Sequence, residues 1–159
     1  MSITKVSVFL HATFHTQVRC SALDVMKVKE PKFRCETGNA IIELAVELDL
    51  PYNDCMQDWS YEVAKPNEIE KYIRHYDKLI DEDKKFVLME IMIQATTDQD
   101  NEYDLKKYWT ELKTRLLSDK AIHEYTLYYW SCFDNEDLNY CWEITPFVRS
   151  LWQEIRNDR

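Results

Sequence analysis

The most apolar pattern of the chain lies between Asp81 and Thr97. On a helix with about 100° between successive residues, its apolar side chains cover most of the circumference. A narrow polar strip remains, formed by Asp83, Glu90, Gln94 and Thr97. A helix that is apolar nearly all round belongs inside a core. The pattern predicts a central helix over residues 82–97 that begins after an Asp81 N-cap, with the polar strip, Glu90 included, facing solvent.

Helical periodicity also marks the segments around this central helix. Apolar positions recur every three to four residues in four stretches, namely 69–80, 105–116, 122–130 and 148–155. Each stretch is typical of an amphipathic helix with one buried face. The pattern therefore predicts a bundle of about five α-helices, four of them packed around the central one.

The first fifty residues follow a different period. Apolar and polar residues alternate in 6–14 and 42–50, which is typical of strands. Gly38, the only glycine, would form a hairpin turn between 32–36 and 42–50. As a helix, the second stretch would place Asp49 among apolar neighbours. Strands followed by helices predict an α+β fold with an N-terminal antiparallel β-sheet over about residues 3–50. The alternative is an all-α fold, because one glycine and four prolines are few turn residues for a sheet.

Composition and charge narrow the function classes. The chain has 159 residues, 45% of them hydrophobic, which predicts one globular domain over residues 1–159. Its formal net charge of −9 argues against nucleic acid or an anionic membrane surface as the main partner. The charge fits a basic protein partner, although solubility alone also explains it. A single glycine leaves no room for a glycine-rich phosphate-binding loop.

The cysteines and the N-terminal residues predict a cytoplasmic protein with free thiols. The five cysteines are odd in number, and no two have a C-x-x-C spacing. The first apolar run, residues 8–10, is interrupted by His11 and is too short for a signal-peptide core. No stretch approaches the roughly 18 apolar residues of a membrane span. We therefore expect a reducing compartment.

A metal site is the weakest of the candidates. His11 and His15 are four residues apart, so on a helix they could share an ion. On a strand they would be about 13 Å apart, too far for one ion. No further ligand is fixed by spacing, so the sequence predicts no metal and no cofactor. A metal-stabilised structural protein stays open as a second alternative function.

Aromatic residues with acidic neighbours form two candidate protein-binding clusters. The first cluster comprises Asp58, Trp59 and Tyr61. The second comprises Tyr128, Trp130, Asp134, Glu136 and Asp137. Aromatic anchors with a polar rim are typical of protein interfaces. These residues are our candidates for contact with a protein partner.

The polar strip of the central helix supplies a competing hypothesis. If Glu90 or Gln94 lay in a pocket, a desolvated carboxyl there would have a raised pKa and could act as an acid or base. No local motif identifies a catalytic residue, so the leading hypothesis is a small acidic binding module without catalysis. An immunity or antitoxin-type protein that covers a basic partner has this character. The alternative is a small enzyme that uses Glu90 or a His/Cys pair.

Overall fold

Helices account for the regular secondary structure of residues 28–157, the part of the chain that the structure, a computed structural model, describes. The α-helices are α1 (Gly38–Glu47), α2 (Trp59–Val63), α3 (Ile69–Tyr76), α4 (Glu82–Thr97), α5 (Glu102–Ser118), α6 (Lys120–Trp130) and α7 (Thr145–Asn157). Short 3-10 helices lie at Pro66–Glu68 and Leu138–Tyr140. Over this range the fold fits the all-α alternative.

Helix α4 is the centre of the bundle, as the sequence predicts. Its bounds match the predicted 82–97, and α1, α2, α3, α5 and α6 all pack against it. The carboxylate of Asp81 accepts a hydrogen bond from the backbone N–H of Lys84 at 2.8 Å, which caps the helix. Its side chains are buried from Phe86 to Ile93 without interruption. Burial on all sides explains why the helix needs no polar face apart from its ends.

The strand predicted for residues 42–50 is wrong, because this segment forms α1. Leu44 and Ala45 are buried on one face of α1, while Val46 is exposed. The helix ends at Glu47, and Asp49 adopts a positive φ of 52° beyond it. Asp49 therefore never lies on the apolar face, which removes the argument that excluded a helix.

Gly38 does not form the predicted hairpin turn. It opens α1, its φ is not positive, and the Thr37 side chain caps the helix by accepting from the N–H of Ala40 at 3.4 Å. Residues 32–36 form no strand in the described range. The remaining part of the predicted sheet, residues 3–27, lies outside the described residues.

The segment before α1 packs across the bundle. The Arg34 guanidinium donates to Asp83 at 2.8 Å and lies 5.2 Å from the centre of the Phe86 ring. The Phe33 ring meets Tyr125 of α6 edge-on, with centres 5.0 Å apart. These contacts place the segment over the junction of α4 and α6. None of the helices in residues 28–157 has the length and apolarity needed to cross a membrane.

Candidate functional site

A cavity of about 580 Å³ opens where the segment before α1 meets α2, α4 and α6. We call it the acidic cavity. Its wall is formed by Phe33, Arg34, Cys35, Glu36, Ile41, Gln57, Asp58, Ser60, Tyr61, Phe86, Glu90, Tyr125 and Tyr129. The volume is within the range of small-ligand sites. The wall combines carboxyl groups with aromatic rings, so its chemistry is that of a site for a polar or charged group.

Glu90 is the deepest carboxyl of the acidic cavity. It is 4% exposed, so the prediction that it faces solvent is wrong. Oε1 accepts a hydrogen bond from the Thr126 hydroxyl at 2.6 Å, and Oε2 accepts from the Trp130 indole at 2.7 Å and the Tyr61 hydroxyl at 3.3 Å. Burial raises the pKa of Glu90, and the three donors oppose that shift. The partners of this carboxyl among residues 28–157 are thus all neutral donors.

Glu36 is the second carboxyl of the cavity. It accepts a hydrogen bond from the hydroxyl of Ser60, which is buried in α2. The pKa of Glu36 is raised to about 7, chiefly by burial and in addition by the charges of Glu90 and Asp58, while the Ser60 hydrogen bond opposes the shift. A pKa near 7 means that this group exchanges a proton around neutral pH.

The described residues provide no counter-ion for these two carboxyls. Among the described residues no basic side chain forms an ion pair with Glu36 or Glu90. Arg34 lines the cavity, but its guanidinium already bonds Asp83 at 2.8 Å. Deprotonation of either glutamate would therefore leave a partly buried negative charge without a cation.

Three tyrosines supply the aromatic part of the wall. Tyr61 meets the ring of Trp130 edge-on at 5.7 Å, and its hydroxyl interacts with that of Tyr129. Burial raises the pKa values of Tyr61, Tyr125 and Tyr129, so the phenols stay neutral. Tyr129 is 41% exposed, and the line from Tyr129 through Tyr61 to Glu90 joins the surface to the deepest carboxyl.

The structure separates the residues of the first predicted binding cluster. Tyr61 and Asp58 line the acidic cavity together with Glu90. Trp59 is 2% exposed and donates from its indole to the Pro51 carbonyl at 2.8 Å, so it contributes to the core. Gln94 is half-buried, bonds Asp98 at 2.8 Å and does not line the cavity.

The second predicted cluster is divided in the same way. Trp130 is 1% exposed and serves as a donor to Glu90. Tyr128 and Asp134 line another cavity, of about 430 Å³, which shares Tyr129 with the acidic cavity. Glu136 and Asp137 are exposed on the loop after α6. The two buried tryptophans therefore do not present surface anchors, whereas Asp58 and Tyr61 line one cavity and Tyr128 and Asp134 line the next.

His123, the buried histidine and a candidate for catalysis, does not line the acidic cavity. His123 is fully buried, and its Nε2 hydrogen-bonds the Tyr76 hydroxyl at 2.7 Å. That hydroxyl donates to Asp119 at 2.8 Å, and Lys85 also donates to Asp119 at 2.8 Å. Burial lowers the pKa of His123 to about 3, so the ring is neutral at pH 7. We call Tyr76, Lys85, Asp119 and His123 the Asp119 cluster.

Sequence reasoning missed Arg34, Glu36 and Ser60. They lie in short segments without a periodic pattern, so no local signal marks them as neighbours of α4. A signal for Glu90 did exist: Thr126 and Trp130 are four residues apart on α6 and therefore offer two donors from one helix face. Within residues 28–157 no three His, Cys, Asp or Glu side chains are arranged to hold a metal ion. His11 and His15 lie outside the described residues.

Comparison with known proteins adds no constraint. No protein-family model matches the chain, and neither a curated protein nor a solved structure matches it.

Proposed function

We propose that the protein is a small binding module that accepts a lysine or arginine side chain of a basic partner protein in the acidic cavity. The observation that carries the proposal is Glu90, a buried carboxyl that lines a cavity and has three neutral donors but no cation among residues 28–157. An inserted ammonium or guanidinium group would supply the missing charge. Binding without chemistry, as in an immunity or antitoxin-type protein, follows from this role.

The charges of the cavity favour a cation over a neutral or anionic group. Glu36, Asp58 and Glu90 face the cavity, while Arg34 is neutralised by Asp83. An opposite charge within about 4–6 Å of a carboxyl lowers its pKa. Cation binding would therefore release protons from Glu36 and Glu90. The net charge of −9 would in addition speed the approach of a basic partner.

The aromatic wall suits the same ligand. Tyr61, Tyr125 and Tyr129 are neutral at pH 7, and the faces of neutral aromatic rings attract cations by about 0.5–2 kcal/mol each. The methylene groups of a lysine or arginine side chain would pack against the same rings. Carboxyl groups at the base and phenols on the sides thus match both parts of a long basic side chain.

The test uses the full chain and blocked hexalysine and hexaarginine peptides, followed by tryptophan fluorescence and calorimetry. Peptides of Nε-acetyl-lysine and citrulline serve as uncharged controls, and citrulline is also close to arginine in shape. We expect the basic peptides to bind at least about tenfold more tightly, a difference of about 1.4 kcal/mol. Binding should strengthen between pH 6 and 8, because Glu36, with a pKa of about 7, loses its proton there.

Matched variants separate the cavity from the overall negative charge. Glu90→Gln removes the deep carboxyl, and Glu62→Gln removes the same charge from an exposed position of α2. We expect Glu90→Gln to lose most of the binding and Glu62→Gln to lose less than about twofold, as for an exposed charge. Equal losses in both variants, or equal binding of the acetylated peptides, would exclude the cavity as the recognition site.

A second candidate function is acid–base catalysis in the same cavity. The observation in its favour is the Ser60 hydroxyl bonded to Glu36, whose pKa of about 7 suits a general base. Glu90 would stay protonated and serve as the acid. A panel of chromogenic esters and glycosides tests this candidate. Loss of turnover in both Glu36→Gln and Glu90→Gln would support catalysis in the cavity. Equal turnover by these variants and the natural protein would exclude it.

A further inference from the structure

Two cysteines meet in the loop between α6 and α7. Cys132 follows the last turn of α6 with a positive φ of 49°, a conformation that turns the chain back sharply. The chain then passes through the exposed segment 134–140 and returns at Cys141. The Cys132 side chain interacts with the Cys141 side chain. The loop thus begins and ends at neighbouring cysteines.

Arg149 of α7 holds this arrangement in place. Its guanidinium donates to three carbonyl oxygens of the loop, those of Ser131 (2.6 Å), Cys132 (2.6 Å) and Asn135 (2.7 Å). The Nη2 atom that bonds the Cys132 carbonyl also lies 3.9 Å from the Cys141 sulfur. One nitrogen therefore contacts both cysteine residues. The pair is held by a fixed side chain and does not depend on chance loop motion.

We propose that Cys132 and Cys141 are an oxidation site at which hydrogen peroxide forms a disulfide. Both residues are half-buried, so a small oxidant can reach them. The Cys141 thiolate attacks a peroxide oxygen, which gives a sulfenic acid and one water after protonation. The Cys132 sulfur then attacks the Cys141 sulfur, and the hydroxyl leaves as a second water. Two thiols and one peroxide are thereby converted into one disulfide and two waters.

The neighbours of each cysteine indicate which sulfur reacts with peroxide and which one then forms the disulfide. Cys141 Sγ lies 3.9 Å from Nη2 of the Arg149 guanidinium, and we assign the first step, the reaction with peroxide, to this sulfur. Burial, the Cys141 thiol and nearby Asp134 raise the pKa of Cys132 to about 12, so Cys132 is the poorer thiol for the reaction with free peroxide. Its part is the second step, in which its partner sulfur is already beside it. Cys35 and Cys55 are exposed and have no such partner among the described residues, so they should stop at single-thiol products.

The disulfide would close segment 132–141, which carries Asp134, Glu136 and Asp137. Closing so short a loop restricts the unfolded chain and should raise the melting temperature by about 5 to 10 °C. It would also fix the wall of the second cavity, which includes Cys132, Asp134 and Trp142. Oxidation would thus set the shape of an acidic, aromatic surface next to the acidic cavity.

The experiment treats the reduced full chain with one equivalent of hydrogen peroxide, blocks remaining thiols and maps the peptides by mass spectrometry. We expect a peptide pair joined through Cys132 and Cys141, a mass lower by two hydrogens and full reversal by dithiothreitol. Cys132→Ser should accumulate a sulfenic acid at Cys141, and Cys141→Ser should give no fast product. The control Cys55→Ser should form the same disulfide at the same rate.

Three results would overturn the assignment. The first is that Cys132 and Cys141 are alkylated after peroxide treatment as completely as before it. The second is a disulfide that involves another cysteine instead. The third is equal reactivity of Cys55 and Cys141 towards peroxide. Circular dichroism of each serine variant verifies that it is folded, and because serine differs from cysteine by a single atom, we expect unchanged helix content.

Discussion

Two polar clusters lie between α4 and α6, and they treat buried charge in opposite ways. In the Asp119 cluster, Lys85 and Tyr76 donate to Asp119, so a carboxylate and a cation neutralise each other. In the acidic cavity, the donors to Glu90 within the described part of the chain are the neutral groups of Thr126, Trp130 and Tyr61. Over residues 28–157, the first cluster therefore pairs its carboxylate with a cation, and the second does not.

The difference shows where a fold has room for a ligand. Burial would raise the pKa of Asp119, but the Lys85 and Tyr76 hydrogen bonds hold it below its usual range. For Glu90 burial prevails and its pKa is raised. The same pair of helices can therefore satisfy a carboxylate when the sequence supplies a lysine. The missing cation beside Glu90, at a cavity, is what we interpret as a binding site.

The largest expected effect comes from truncating Glu90. In Glu90→Ala the Trp130 indole and the Thr126 hydroxyl lose their buried acceptor, and a void is left. Unsatisfied buried donors and a cavity together should lower the free energy of unfolding by about 3 kcal/mol. Urea denaturation measures this loss. Gln94→Ala, one turn further along α4, is the matched control and should change it by less than about 0.5 kcal/mol.

The amide Glu90→Gln distinguishes structure from charge. It keeps the side-chain shape and mimics the neutral acid, so its stability at pH 8 should equal or exceed that of the natural protein. A loss as large as that of Glu90→Ala would mean that the charged carboxylate itself stabilises the fold, and the argument from a missing cation would fail.

The next effect concerns the hydroxyl at the centre of the Asp119 cluster. Tyr76→Phe removes a group that donates to Asp119 and bonds His123 Nε2. His123 Nδ1 already has no partner among the described residues, so both ring nitrogens would then be unsatisfied. We expect a loss of about 2 kcal/mol in the free energy of unfolding. Tyr103→Phe, at an exposed position of α5, should have almost none.

How far the sequence predicts this fold depends on what each residue contacts. The bounds of α4 were predictable because all-round apolarity and an Asp81 cap are local signals. In α1 the alternation of residues 42–50 also fits a helical face, since Leu44 and Leu48 are one turn apart. The strand and helix interpretations differ in where the element ends. The end of α1 is followed by Asp49 with its positive φ, and hydrophobic periodicity does not reveal such a backbone conformation.

The acidic cavity was predictable only in part. Glu90 stood out as a polar residue on an apolar helix, but its burial depends on three donors from two other helices. Glu36 and Ser60 are 24 positions apart, and tertiary packing alone brings them together. Long-range pairs of single residues leave no periodic trace.

The pH dependence of stability should also separate the two clusters. The pKa of His123 falls from 6.5 to about 3 on burial, so the unfolded chain binds the proton more readily. Its stabilising contribution is present above pH 6.5 and is lost as the pH falls, by about 2 kcal/mol at pH 5. His123→Phe, which cannot be protonated, should lose less stability between pH 7 and 5, as thermal unfolding across that range can measure.

Glu36 should give the opposite slope. Its pKa rises from 4.5 to about 7, so its contribution is fully present below pH 4.5 and is lost as the pH rises through 7. Glu36→Gln should flatten that part of the stability curve. A wild-type curve unchanged by either His123→Phe or Glu36→Gln would show that neither cluster titrates as its burial implies.

The smallest expected effect tests whether the acidic cavity is short of positive charge. Arg34 is the basic residue among those that line it, and its bonds to Asp83 are partly exposed. Arg34→Gln should therefore lower the free energy of unfolding by less than about 1 kcal/mol. It should also strengthen hexalysine binding about two- to threefold at low salt, because a repelling charge in the cavity wall is removed. Lys32→Gln, two residues earlier and outside the cavity wall, removes the same charge and should leave the affinity almost unchanged.

Because screening weakens such an interaction, the gain in affinity of Arg34→Gln should shrink at 1 M salt. Weaker hexalysine binding by Arg34→Gln would instead mean that Arg34 itself contacts the ligand and that the cavity selects an anionic or mixed group.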